Sequence, residues 1–91
     1  MKLLFTPGKV VCVRLKAKHG RKLYLAVIID IDEHEKVVQL SYLRQQTKHV
    51  YVYPKTPDLS WEPFNSITVS IEQPHFDNRG RYLFQNNPLH D

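Results

Sequence analysis

Six of the nine residues from 14 to 22 are basic or titrate near neutrality: Arg14, Lys16, Lys18, His19, Arg21 and Lys22. Cations at that density neutralise phosphates, and the binding that results falls steeply as salt is added. Tyr24 and Tyr53 add aromatic faces on which unpaired bases stack. Arg14, Lys16, Lys18, Arg21 and Lys22 are therefore candidate contacts to DNA or RNA. The competing reading is structural, because charges along an exposed edge strand discourage edge-to-edge association. The net charge of +4 is unevenly spread. Residues 1–29 carry seven Lys/Arg and no acid, residues 30–55 four of each, and residues 56–91 two basic and five acidic residues. The positive field thus belongs to the first third of the chain.

Asp30, Asp32, Glu33 and Glu35 place four acids in six residues. They lack the glycine and the bidentate glutamate of a calcium loop, and read as a solvated turn. The histidines at 19, 34, 49, 75 and 90 stand too far from one another and from Cys12 for zinc-ligand spacing. No metal and no small-molecule cofactor is expected. The lone cysteine excludes an internal disulfide and, lying mid-strand among valines, reads as a buried inert thiol. Gly8, Gly20 and Gly80 are isolated turn glycines, not a phosphate cradle. No nucleophile has a partnered base, so no catalytic residue is assigned and no enzyme is expected. Met1-Lys2-Leu3-Leu4-Phe5 opens like a signal peptide but meets Pro7-Gly8 and Lys9 too soon. No apolar run approaches the ~20 residues of a membrane helix. A nuclear or cytoplasmic location without membrane contact is expected.

The elements that would position these residues follow from apolar patterning. Residues 23–32, Leu-Tyr-Leu-Ala-Val-Ile-Ile-Asp-Ile-Asp, form the longest apolar run, rich in β-branched residues and bounded by turns. Such a run predicts a strand buried on much of both faces. Before it, residues 10–16 alternate, with Val11, Val13 and Leu15 inward, as in a half-buried strand. Residues 18–22 are expected as the hairpin tip. Further strands are predicted at 37–43, 49–53 and 67–71. The polar stretch 45–48 reads as a connection, and Pro54 and Pro57 interrupt pairing. Residues 58–64 read as an aromatic loop with a 3₁₀ turn. Residues 82–84 read as a last short strand or covering strap, and 86–91 as a mobile tail. Five close-spaced strands predict an all-β fold, a small closed or nearly closed barrel.

The residues Pro-Gly-Lys-Val-Val-Cys-Val at 7–13, Leu-Tyr-Leu-Ala-Val-Ile at 23–28 and Val-Val-Gln-Leu-Ser-Tyr at 37–42 resemble a Tudor or SH3-like barrel over residues 7–71. The resemblance implies a five-stranded Tudor-like barrel, with residues 72–91 as an extended C-terminal strap and tail. It also puts Tyr24 and Tyr42 where Tudor domains place two walls of an aromatic cage for methylated lysine or arginine. Leu15 or Lys16 stands where a first-strand aromatic is usual, and Arg44-Gln45 replaces a usual Tyr-Gly. The expected cage is Tyr24, Tyr42, Tyr51 and Trp61, with Asp30 or Asp32 as an anionic rim. A methylated ammonium keeps its charge but loses hydration, and each good cation–π contact contributes ~0.5–2 kcal/mol. The alternative is that these aromatics are ordinary barrel packing. A fainter resemblance, carried by Trp61-Glu62-Pro63-Phe64-Asn65-Ser66-Ile67, then Pro74 and Arg79-Gly80-Arg81-Tyr82-Leu83-Phe84, is to the tails of transposon-derived proteins.

The sequence therefore points to recognition without catalysis. The first expectation is a Tudor-like module binding a protein segment, methylated or not, in a chromatin- or RNA-associated setting. The second is a nucleic-acid-binding barrel of integrase or transposase type, using the basic hairpin. The third is a docking mini-protein that engages a larger partner through residues 61–64.

Overall fold

The computed structural model describes residues 5–68 and 71–89. Among them the chain is all-β: β1 Val10–Ala17, β2 Gly20–Asp32, β3 Val37–Tyr42, β4 Arg44–Thr47, β5 Val50–Val52, β6 Leu59–Pro63, β7 Ile67–Thr68, β8 His75–Phe76 and β9 Arg81–Leu83, with one 3₁₀ turn, Phe64–Ser66. Two antiparallel sheets form, in the orders β6-β3-β2-β1-β7 and β4-β5-β9-β8.

β2 is the axis of the molecule, as its composition requires. Leu25 and Val27 bury one face and Ala26 and Ile28 the other. β1 pairs with it from Val10↔Val27 to Ala17↔Gly20, and direct partners in an antiparallel ladder share a face. Val10, Cys12, Leu25 and Val27 therefore pack together, against Tyr51 of the second sheet and Leu43 and Phe84 that flank its strands. Val11, Val13, Ala26 and Ile28 face the other way and join Val38, Leu40 and Tyr42. Two cores thus lie on opposite sides of one β1–β2 ribbon. Each fully buried Leu or Ile contributes roughly 1.5–3 kcal/mol. The expected half-buried first strand is corrected on this point: Val10 and Cys12 are buried too, because a second sheet covers them.

The first sheet curls around the Val11–Leu40 core. β6 and β7 are its opposite edges, yet only the three residues of the 3₁₀ turn separate them in sequence. That short link forces the edges to approach. Phe64 in the turn packs into the core and against Phe5, ring centroids 4.8 Å apart. Among the described residues no ladder joins β6 to β7, so the sheet is curled and not a closed barrel.

The fourth strand of this sheet is residues 59–63, expected as a loop. The expected strand at 49–53 is instead β5, in the second sheet. The polar stretch 45–48 lies largely in β4, which pairs with β5. Leu43 is the corner between the sheets. It is buried, and its N–H donates to the Leu25 carbonyl at 2.9 Å. β9, the expected strap, pairs with β5 from Val50↔Leu83 to Val52↔Arg81. The second sheet therefore takes strands from both sides of the expected boundary at 71/72. Of the strand expected at 67–71, Val69 and Ser70 lie outside the described residues, as do Met1 to Leu4 and His90 and Asp91.

Gln73 ties the second half of the chain to β1. Its side-chain carbonyl accepts from the Val10 N–H at 3.0 Å, and its amide donates to the Val10 carbonyl at 2.8 Å. One side chain thus imitates a rung of sheet at a position where, among the described residues, β1 has no strand partner on that side.

Candidate functional site

Two registers bring the site together. Ala26 pairs with Tyr42, which sets Tyr24 diagonally across from Tyr42 on the inner face. Leu40 pairs with Ser60 and Val38 with Glu62, which puts Ser60 and Glu62 on that same face. The Tyr24 and Tyr42 rings meet edge to face, centroids 6.0 Å apart at 77°. Asp58 is fixed just before β6, where its carbonyl accepts from the Tyr42 N–H at 2.9 Å. Leu15, Tyr24, Tyr42, Asp58, Ser60 and Glu62 line an open groove of about 310 Å³.

A short relay orders its floor. Ser60 Oγ donates to Glu62 Oε2 at 3.0 Å. That commits its single hydrogen, so in the 2.8 Å bond between Tyr42 Oη and Ser60 Oγ the phenol donates. Burial pushes the Tyr42 phenol above its usual range; the Ser60 bond opposes this, and the charges of Glu62 and Asp58 add to it. The phenol stays protonated and the relay keeps one direction. The groove therefore offers an aromatic face, two carboxylates and no cation of its own lining. That arrangement suits an ammonium or guanidinium, by cation–π attraction and charge-assisted hydrogen bonds. The molecule supplies an internal example: Lys22 Nζ sits 5.5 Å from the centre of the Tyr24 ring.

Of the four expected cage residues, the structure brings together Tyr24 and Tyr42. Tyr51 is displaced. It is 1% exposed in the core between the sheets, edge to face with Phe84 at 5.5 Å, its hydroxyl donating to Asn87 Oδ1 at 3.4 Å. Trp61 is also displaced. It pairs with Gln39 and sits on the outer face of β6, opposite in direction to Ser60 and Glu62. The two are thus corrected as cage walls, the first because a second sheet buries it, the second because strand alternation turns it outward. Asp30 and Asp32 lie at the far end of β2, roughly 20 Å of strand from Tyr24. Asp30 Oδ1 accepts from the neighbouring Ile31 N–H within β2, and Asp32 Oδ1 accepts from the N–H groups of His34 and Glu35 and so shapes the following turn. The acids of the groove are Asp58 and Glu62. The alternation Leu-Ser-Trp-Glu-Pro at 59–63 is the signal that finds them, hidden by the flanking prolines. The expected docking segment 61–64 splits as well, since Trp61 points out and Phe64 packs inward.

The basic residues divide for the same reason. The hairpin turn is short, with β1 running to Ala17 and β2 starting at Gly20, whose φ of 110° suits only glycine. Arg21 and Lys22 therefore belong to a strand and point to opposite faces. Lys16 pairs with Arg21, and Arg14 lies two residues along on that face; Lys22, paired with Leu15, turns to Tyr24. Lys18 stays in the turn. Arg14, Lys16 and Arg21, with Asn65 and Ser66 of the 3₁₀ turn, line a second open groove of about 470 Å³. It shares Leu15 and Glu62 with the first.

Burial pushes the Cys12 thiol up, against the pull of the Arg14 charge, so it remains protonated within the core. Among the described residues no three or more His, Cys, Asp or Glu side chains group as metal ligands, and no helix is long and apolar enough to cross a membrane. Compared with known proteins, the chain matches no family model, no curated protein and no solved structure.

Proposed function

We propose that this chain is a non-catalytic recognition module of SH3-like, Tudor-like topology. It takes up a lysine or arginine side chain of a protein segment, methylated or unmodified, in the groove of Tyr24, Tyr42, Asp58 and Glu62. The observation that carries this reading is the convergence of two tyrosines and two carboxylates on one open groove. The topology is supported by the strand order of the curled sheet and by the 3₁₀ turn that leads from its fourth strand to its fifth. The resemblance of residues 7–13, 23–28 and 37–42 to Tudor domains adds the chromatin- or RNA-associated setting.

The test is an amide chemical-shift titration of the labelled protein with peptides carrying Lys or Arg in each methylation state. Shifts centred on Tyr24, Tyr42, Ser60 and Glu62 are expected, with binding abolished in Tyr24→Ala and weakened in Glu62→Gln. Tyr24 is half-buried and serves as the probe; Tyr42 is 8% exposed, and its truncation would damage the core itself. Binding that survives Tyr24→Ala unchanged would overturn the reading.

A further inference from the structure

The basic groove is built at a cost. Lys16 and Arg21 are direct cross-strand partners, and Arg14 follows on the same face. Like charges placed opposite each other destabilise a ladder. Among the described residues the single ion pair is Arg81 with Asp77, so none of these three cations has a carboxylate within bonding distance. Glu62, the acid nearest to hand, is held toward Tyr42 by the hydrogen bond from Ser60. The edge of β1 is also open here. β7 pairs only with Cys12 and Val13, so residues 14–17 have β2 on one side and no described strand on the other. The 3₁₀ turn stands across the gap and makes the opposite wall. The result, among the described residues, is a trough of unpaired backbone and unpaired cations. It runs into the aromatic groove over Leu15 and Glu62.

We propose that the two grooves are read together, by a peptide in which the lysine or arginine is flanked by an anionic residue, acidic or phosphorylated. The cationic side chain enters between Tyr24 and the carboxylates of Asp58 and Glu62. The neighbouring anion lies along the free edge of β1 against Arg14, Lys16 and Arg21. This inference rests on the proposed cation site and adds what must stand beside it. Charge complementarity decides the occupant: the first groove presents acids and aromatic rings, the second presents cations, and the two share a wall. A uniformly basic tail satisfies the first groove and is repelled by the second.

The experiment uses a two-by-two set of short peptides: a lysine or arginine, or alanine in its place, followed by phosphoserine or serine. Affinities are measured by calorimetry against the full chain, its Tyr24→Ala variant and an Arg14→Gln/Lys16→Gln/Arg21→Gln variant. These three residues are exposed, so the triple variant is expected to fold, which circular dichroism checks. The phosphoserine peptide with its cation intact should bind about tenfold tighter than the serine peptide, as expected for a dianion meeting several partly exposed cations. The triple variant should lose that gain and keep the weaker affinity. Equal affinities for the two peptides, both lost in Tyr24→Ala, would overturn this inference and leave the cation site standing. No binding by any cation-bearing peptide would overturn the cation site itself. A mixed-sequence oligonucleotide that binds through the three cations, with a steep salt slope and no change in Tyr24→Ala, would also overturn the inference and assign the trough to nucleic acid.

Discussion

Replacing Gln73 tests whether a single side chain holds the C-terminal segment to the strand on which both grooves depend. Its amide makes two bonds with Val10, at 3.0 and 2.8 Å, and Val10 is 1% exposed. A typical hydrogen bond contributes roughly 0.5–1.5 kcal/mol net, so two give about 1–3 kcal/mol. Gln73 itself is exposed, so water reaches the vacated positions, and Gln73→Ala should cost the lower part of that range, about 1–2 kcal/mol. For a domain of this size that is a fall in Tm of about 4–16 °C. Gln73→Glu sharpens the test. The ionised carboxylate still accepts from the Val10 N–H but turns a lone pair toward the Val10 carbonyl, where the amide had donated. Protonated, the new carboxyl donates again and restores both bonds. Its folded pKa is therefore raised above the unfolded value of about 4.3. The stability it contributes is fully present below that pH and is lost as pH rises through the folded value. Urea denaturation followed by circular dichroism, from pH 3 to 7 and relative to the unaltered chain, measures both. A Gln73→Ala variant within ~0.3 kcal/mol of the parent, less than the smallest net bond, or a Gln73→Glu variant that tracks the parent at every pH, would show that the two bonds to Val10 do not hold the segment in place.

The two displaced or retained tyrosines give a direct contrast. Tyr51→Ala should cost about 3–5 kcal/mol, as truncations of large buried aromatics do, whereas Tyr24→Ala should cost much less and act on binding; equal losses in urea denaturation would contradict the division into core and groove. Alkaline pH should unfold the protein through its phenols. Burial raises Tyr42, Tyr51 and Tyr82, the last with help from the Tyr53 hydroxyl 3.1 Å away, and it raises the Cys12 thiol. Stability from these groups is complete below their unfolded pKa values, near 8.5 for the thiol and about 10 for the phenols, and is lost as pH rises through the folded ones. Tyrosinate absorbance and circular dichroism should therefore change together above about pH 10; ionisation of all five tyrosines with the dichroism unchanged would refute it.

What the local pattern could encode, it did. The unbroken apolar run of β2 announced a strand covered on both faces, and β1, β3 and the turns at Gly20 and Glu33 followed from alternation and turn chemistry. The proximity of Tyr24 and Tyr42 was expected only through the resemblance to Tudor domains; the β2–β3 register, with Ala26 opposite Tyr42, is what brings the two rings together. The error at residues 58–64 also has a local cause. Pro57 and Pro63 bracket the segment, and proline argues against a strand, yet β6 is an edge strand, where a missing N–H facing solvent costs little. Read as a strand, the same residues place Ser60 and Glu62 with Tyr42 and send Trp61 outward.

The second sheet was beyond any local reading. Its decisive ladder joins Val50 to Leu83 and Val52 to Arg81, segments far apart in sequence, and nothing in either segment fixes such a register. Yet that sheet buries Tyr51 and Cys12 and so decides which aromatics can meet a ligand. The basic hairpin shows the same limit on a smaller scale. Composition gave a cluster of cations, but a period of two residues per strand repeat divided it. Lys22 went to an aromatic ring, and Arg14, Lys16 and Arg21 to a trough that shares Glu62 with the aromatic groove. Residue type determined which chemistry was at hand; long-range pairing determined which groups share a surface, because only contacts between distant segments decide which face of a strand is covered and which is left to solvent.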